Sequence, residues 1–522
     1  MKPATPAQKV IATRERCLSK YLMILKAPTP RMASNTLYLS SLDQNTVRVY
    51  TQSILLFPFP DGKQAEAAIT ALSDGLRETL RMFPFLAGQL SLTGAGKLVL
   101  KYPTEIAGPR ESSIFAKKNI PLSSGFPHSY EELKRKGMPP SAFKAEIFRP
   151  DDLLQYSGIP TNGEGIVDFT KSKAPALRVQ ANFIPGGLVL STYYHHAVMD
   201  CSGIHNFWKW YAHHISTISN FSNGILDEPQ VFPNQSTMRH DLDAQTPAPP
   251  RGVRATAEAY MDGTYSYPKT LPEDSSCSLR YFVVPAQRIR DFRDTLKSQF
   301  PENSPPTICN VLAALVWIHV TRARAARIGD CGQKETGIGI AIDMRRRMDP
   351  PLSLDYMGNM APFVKGSMKI ADLIEEECVT EKTIVHAIHK IKQTIAKVNN
   401  NWVQGQLTFF KSIEDIKDTE CALGFRFGLD IYITSWMNFG ADIQWGIPGT
   451  DLSTGSLNGR PDFIRKTYGP SDGGIMIMPR RRSFVDGKEA PYEVMVRLAS
   501  CDMETLLNEK GGFKSWTDNV ID

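Results

Sequence analysis

Apolar and polar positions follow two different rhythms along this chain, and the rhythms predict its elements. Ile69, Leu72, Leu76 and Leu80 are spaced 3, 4 and 4 residues apart, the apolar stripe of a helix that Pro84 ends. Leu177, Val179, Ala181 and Phe183 alternate with Arg178, Gln180 and Asn182, the period of a strand with one buried face. Pro185-Gly186-Gly187 supplies a turn, and Leu188 to Tyr194 reads as the returning strand, with His195-His196 where it ends. An aromatic helix with Phe207, Trp208, Trp210 and Tyr211 begins after Gly203. Upstream, 36–39, 47–50, 54–57 and 98–100 read as strands, and 130–136 as a short helical patch.

Between 226 and 272 the pattern breaks. Pro229, Pro233, the run Pro247-Ala248-Pro249-Pro250 and Pro268 make a composition that resists regular structure. Beyond it come a strand over 280–284, helices over 289–297, 307–322 and 381–398, and strands at 337–342, within 425–436, at 474–478 and at 492–498. The Gly337-x-Gly339 pair lacks the helix and spacing of a dinucleotide turn, which excludes a Rossmann reading. The expected organisation is an N-terminal domain over 1–225, its first 30 or so residues a variable extension, a crossover linker over 226–272, and a C-terminal domain over 273–522.

Composition narrows the chemistry. Of 522 residues, 42% are hydrophobic and 22% charged, which excludes disordered and fibrous classes. The net charge of +6 is too dilute for a dedicated nucleic-acid surface, though it leaves room for a patch that holds a phosphate-bearing small molecule. None of the 8 cysteines stands in C-x-x-C spacing, which excludes zinc ribbons and thioredoxin-type motifs, and reduced thiols are expected. The basic N-terminus lacks a signal-peptide core and no 18-residue apolar run exists, so a cytoplasmic location is expected, with no membrane partner.

The segment Tyr193 to Gly203 carries the strongest chemical signal. A histidine at a strand end, followed by an aspartate four residues on, is positioned to take a proton from an alcohol or an amine. A buried, hydrogen-bonded histidine pair fits the same spacing equally well. His196, Asp200 and His205 are possible metal ligands, but the chain breaks into a loop after Asp200 and no Cys or His cluster elsewhere completes a set, so no metal is expected.

Further segments agree in order and spacing with this one. They are Leu42-Asp43-Gln44, Phe85 to Leu90, Asp343 to Leu352, Tyr356-Met357-Gly358-Asn359, Thr434-Ser435-Trp436 and Asp442-Ile443-Gln444-Trp445-Gly446. With His195-His196-x-x-x-Asp200, they resemble the motifs of the BAHD acyltransferases, coenzyme-A-dependent enzymes related to chloramphenicol acetyltransferase and peptide-synthetase condensation domains. The family's motifs read H-H-x-x-x-D, L-D-Q, P-L-A-G-R-L, D-x-R-x-R with P-P-L, Y-x-G-N, T-S-W and D-F-G-W-G. Gly137 to Phe143 and Ile475 to Pro479 are similar to the fungal branch that contains trichothecene 3-O-acetyltransferase.

The resemblance implies a two-domain α/β fold, each domain a mixed sheet flanked by helices, with an active-site channel between them. It implies His196 as general base, Trp436 as donor to the oxyanion, and Thr434 lining the same site towards the coenzyme. A core role for Trp436 is equally open from the sequence. Asp200 is expected to support the site by pairing with Arg345, or failing that Arg347. Asp442 belongs to a segment the family uses structurally. Acyl-coenzyme A, with acetyl expected, would be a co-substrate rather than a resident cofactor, and a small-molecule alcohol the acceptor of a monomeric enzyme. An amine acceptor, or a catalytically inactive binding protein of the same fold, are the alternatives. Two departures stand out: Cys201-Ser202 delay the glycine after the motif aspartate to Gly203, and Gln444 replaces a glycine of the family segment.

Overall fold

The computed structural model describes residues 34–160, 165–219, 232–249, 255–328, 332–374, 377–414, 419–450, 459–482 and 489–522. The proposed N-terminal extension, and residues 226–231 and 250–254 of the proline-rich stretch, lie outside them.

The predicted hairpin forms the middle of a five-stranded sheet. Leu177–Ile184 and Gly187–His195 pair antiparallel, Tyr50–Pro58 lies on the other side of Gly187–His195, and Phe115–Asn119 runs parallel to Leu177–Ile184 at one edge. Instead of two strands over 47–57 there is one, wholly buried. Both faces of this sheet are covered. Leu177, Val179, Leu188 and Leu190 face a core shared with the helices Ala65–Met82 and Cys201–Ser219. Ile54, Leu56 and Val189 face a second cluster with Tyr130, Phe143 and Phe148. The two helices approach closely because Gly75 has no side chain: a Cβ there would lie 2.5 Å from Cγ1 of Ile215.

The second sheet has seven strands in the order Phe363–Lys369, Glu335–Ala341, Ile431–Ser435, Gly474–Ile477, Tyr492–Ala499, Cys277–Val284 and Asn519–Ile521. Only the two pairings of Ile431–Ser435 are parallel. The helix Ile308–Ile328 fills its core with Leu312, Leu315, Val316 and Trp317. Its apolar length is explained by that packing. The strand expected across 425–436 is shorter, because Phe427 turns the chain with a φ of 58° while its amide is held by Asp472.

The two halves interlace. Phe463–Arg465, from the C-terminal half, pairs with Tyr50–Pro58 and completes the N-terminal sheet. Met357, Ala441, Trp445 and Ile464 pack in the N-terminal core. The stretch 226–272, expected to be irregular, holds the helix Gln235–Gln245 and the short strand Tyr260–Asp262. Asn234 caps that helix, accepting the amides of Ser236 and Thr237. Polar side chains and flanking prolines hide it from any periodicity, and tertiary contacts hold it.

Candidate active site

The histidine pair sits where its strand leaves the sheet. The His195 amide still donates to Ala176 O, and the His196 amide to Val49 O at 2.9 Å; the chain then turns, with the Val198 amide returning to His195 O. The turn ends at Asp200, whose Oδ1 accepts the Gly203 amide at 3.1 Å and caps the helix Cys201–Ser219. Gly203 stands where a Cβ would come within 2.3 Å of Met357 O, so the displaced glycine is needed for close packing at this position.

The two histidines have different environments. His195 is fully buried, edge-on to Tyr50 and Phe169, and its Nδ1 accepts the Ala197 amide. Burial first, then His196 and Arg48, depress its pKa to about 3, so it stays neutral and structural. His196 keeps part of its surface accessible. Its ring is otherwise enclosed, and burial lowers its pKa, while Asp200 and Asn359 act in the opposite sense and Lys466 with the burial.

Asn359 fixes the tautomer of that ring. Its Oδ1 lies 3.1 Å from His196 Nδ1. Both hydrogens of its Nδ2 are used, one on Asp43 Oδ1 and one on the His196 carbonyl, each at 2.8 Å. A flipped amide would set its oxygen against those two acceptors, so Oδ1 accepts, Nδ1 carries the hydrogen, and Nε2 carries the lone pair. Asp43 is held in turn. It accepts the Asn359 amide at 2.8 Å, the Ser40 amide at 3.0 Å and Arg239 Nε at 2.8 Å. Asp43 and Asn359 lie in two of the segments that carry the resemblance; 316 residues separate them, and no local pattern links such partners.

Asp200 faces away from this ring. Arg345 donates to both of its oxygens, at 2.9 and 3.0 Å, and the Met360 amide, beside that of Gly203, adds a fourth bond at 2.9 Å. Arg345 also donates to Tyr356 O and Gly358 O, and Asp200 and Arg345 are both buried. Arg347 instead donates to the carbonyls of Ile395 and Val398 at a helix end. The segment Tyr356 to Met360 is therefore gripped by two buried arginine–aspartate pairs, and the Tyr356 ring has Arg239 and Arg345 each 5.5 Å from its centroid.

Trp436 follows the strand Ile431–Ser435 and packs among Leu279, Tyr281, Met476 and Met495, with Cys201 against the same cluster. Thus the tryptophan segment meets the start of the helix that Asp200 caps. Among the described residues, the Trp436 indole N–H has no hydrogen-bond partner. Thr434 lies two residues before it, within that strand. Asp442 accepts the Arg482 amide at 3.2 Å, and Trp445 is buried against Phe57 and Tyr211. Gln444 is exposed and not in the left-handed region, so the side chain that replaces a glycine meets neither crowding nor strain. Of the basic run at 480–482, Arg480 is committed to Glu489 and the Ala490 carbonyl, and Arg481 to Asp462 and the Pro461 carbonyl.

Residues 165–511 match the model of the Transferase family, and residues 49–214 that of the trichothecene 3-O-acetyltransferase-like N-terminal domain. The chain is 25% identical over 507 residues to the O-acetyltransferase pyr7 of Aspergillus fumigatus, covering 90% of each. It is 23% identical to a trichothecene 8-O-acetyltransferase of Fusarium sporotrichioides, covering 93% of this chain and 98% of that one. The fold is that of F. graminearum TRI101, solved with coenzyme A and deoxynivalenol: the TM-score is 0.72 at 18% identity, over 93% of this chain and 99% of that one.

Proposed function

The chain belongs to the Transferase family, and on that premise we propose that it moves an acetyl or other short acyl group from acyl-coenzyme A to a hydroxyl of a secondary metabolite. The names of its relatives support acyl transfer, and the coenzyme in the TRI101 structure supports an acyl-coenzyme A co-substrate. The observation that carries the reading is the state of one nitrogen. With Nδ1 of His196 donating to Asn359, Nε2 keeps its lone pair, and the residue remains accessible.

An alcohol is a poor nucleophile near neutral pH, and removal of its proton by a positioned base contributes a factor of ~10²–10⁴. His196 Nε2 takes the hydroxyl proton as the oxygen attacks the thioester carbonyl carbon. The carbonyl electron pair moves onto oxygen, and the unpartnered indole N–H of Trp436 donates to that oxyanion. Collapse re-forms the carbonyl and breaks the carbon–sulfur bond. The departing thiolate takes the proton from the imidazolium, giving an ester and free coenzyme thiol with no acyl-enzyme. Asp200 and Arg345 hold the loop that presents His196 and take no part in the proton transfer.

The test is thiol release from acetyl-coenzyme A, with and without a panel of polycyclic alcohols and matched amines, for wild type and His196→Ala. Alcohol-dependent release that vanishes in the variant is the expected result. Full activity of the variant overturns the base assignment, and release with amines alone overturns the hydroxyl acceptor.

A further inference from the structure

The helix Gln235–Gln245 reaches the site through Arg239, with Gln235 beside it. Arg239 is fully buried, as is its partner Asp43. Its Nε donates to Asp43 Oδ2 at 2.8 Å, while Oδ1 of the same carboxylate holds Asn359 by both its backbone and side-chain nitrogens. Its Nη2 donates to Val198 O at 2.7 Å, two residues after His196. Gln235, one turn earlier, accepts from Arg239 Nη1 and from the Met357 amide. Arg239 thus touches both chain segments whose relative placement sets the contact between Asn359 and His196.

We infer that Arg239 is a positioning residue for His196, acting through Asp43 and Asn359 to hold the imidazole in the tautomer with its lone pair on Nε2. The inference rests on the reading of His196 as the base. The physical reason is orientation. A carboxylate with one oxygen fixed by a guanidinium and a backbone amide has its other oxygen fixed as well, and that oxygen decides which way round the Asn359 amide sits. The amide then presents an acceptor, and only an acceptor, to Nδ1. The second buried pair, Asp200 with Arg345, supports the backbone around His196, whereas the Arg239 relay ends on the ring itself.

Charged groups from several elements act on the ring. Asp200, itself paired with Arg345, favours the charged ring and Lys466 opposes it, His195 is neutral, and Asp43 lies behind Asn359 with Arg239 beyond it. Removing the Arg239 charge leaves a buried carboxylate one residue away from the imidazole. That carboxylate no longer holds Asn359 in a single orientation.

The experiment uses the full chain with ¹⁵N-labelled histidine rings, the His196 signal being assigned by its loss in His196→Gln. Arg239→Gln is expected to replace the single Nδ1–H form with a mixture. Thiol release from acetyl-coenzyme A in water, per folded molecule, should fall about tenfold or more with KM for acetyl-coenzyme A changed less than about twofold. Arg239→Lys, which keeps the charge, should recover most of the rate. An unchanged ring signal and rate in Arg239→Gln overturn the inference, as does a fall in melting temperature with the ring signal intact. If Arg239→Gln does not fold, Asp43→Asn carries the same two readouts with the same expectations. Thiol release that persists in His196→Gln shows instead that the base reading has failed. The ring signal still reports on Arg239 in that event.

Discussion

Asn359 Oδ1 lies 3.1 Å from His196 Nδ1, with both amide hydrogens of Asn359 already committed elsewhere. A side chain at position 359 that cannot accept leaves the ring free to place its hydrogen on either nitrogen. Asn359→Ala is therefore expected to lower kcat by about ten- to a hundredfold, the range for losing a partner that orients a reacting group. KM for acetyl-coenzyme A should change little. Steady-state thiol release is the measurement, and an unchanged kcat would remove the asparagine from the mechanism.

Asp200→Asn removes the buried carboxylate that Arg345 grips and leaves the guanidinium only the exposed Asp343, 3.0 Å away. Breaking a buried pair in this way costs about 3–5 kcal/mol, whereas Arg347→Gln, which loses bonds to two helix-end carbonyls, costs about 1 kcal/mol. Urea unfolding of the two variants side by side should show that ranking. Equal midpoints would mean that Asp200 does not brace the loop.

Trp436→Phe keeps an aromatic ring among Leu279, Tyr281 and Met495 but removes the N–H. Loss of one oxyanion donor costs about 10²–10³ in kcat, so a fall of that size with near-native unfolding is expected. A variant with normal turnover would return Trp436 to a packing role.

The pH profile has a definite sign. Burial lowers the His196 pKa below its ordinary 6.5, and the ring must be neutral to take a proton. The acidic limb of kcat/KM is thus expected below pH 6.5, with activity retained as the pH falls through that value. A limb above it would contradict the enclosed setting of the ring.

His195 gives a separate, structural pH effect. Its pKa is about 3 in the fold against 6.5 in the unfolded chain, so between these values the unfolded chain binds the extra proton. Stability contributed by the neutral ring is complete above pH 6.5 and is lost as pH falls towards 3, by up to about 1.4 kcal/mol per pH unit. His195→Gln should flatten that loss when unfolding at pH 7.5 and pH 4.5 is compared, whatever the variant's stability at the higher pH.

Local pattern revealed much of this architecture. The stripe at Ile69, Leu72, Leu76 and Leu80 lies in the helix Ala65–Met82, and the alternation from Leu177 marks the hairpin that carries the histidines. The helix Gln235–Gln245 is hidden in sequence because its stabilising contacts are tertiary: Arg239, in a polar stretch flanked by prolines, is buried in the fold. The same limit applies to Asp43 and Asn359. Each stood in a legible segment, but their meeting with His196 depends on three distant stretches of chain, and only the fold brings those together.

The strand Phe463–Arg465 has a consequence for anyone who would retarget this enzyme by recombination. A chimera cut within 226–272 would import that strand from the other parent, and it must then register Ile464 against Leu55 of a sheet it did not evolve beside. Its neighbour Arg465 is buried on Glu493 and stacks 4.6 Å from the Tyr281 ring, which belongs to the C-terminal parent. Viable hybrids should therefore be sought by exchanging loops within one parent, or by carrying Tyr50–Pro58 along with the C-terminal half.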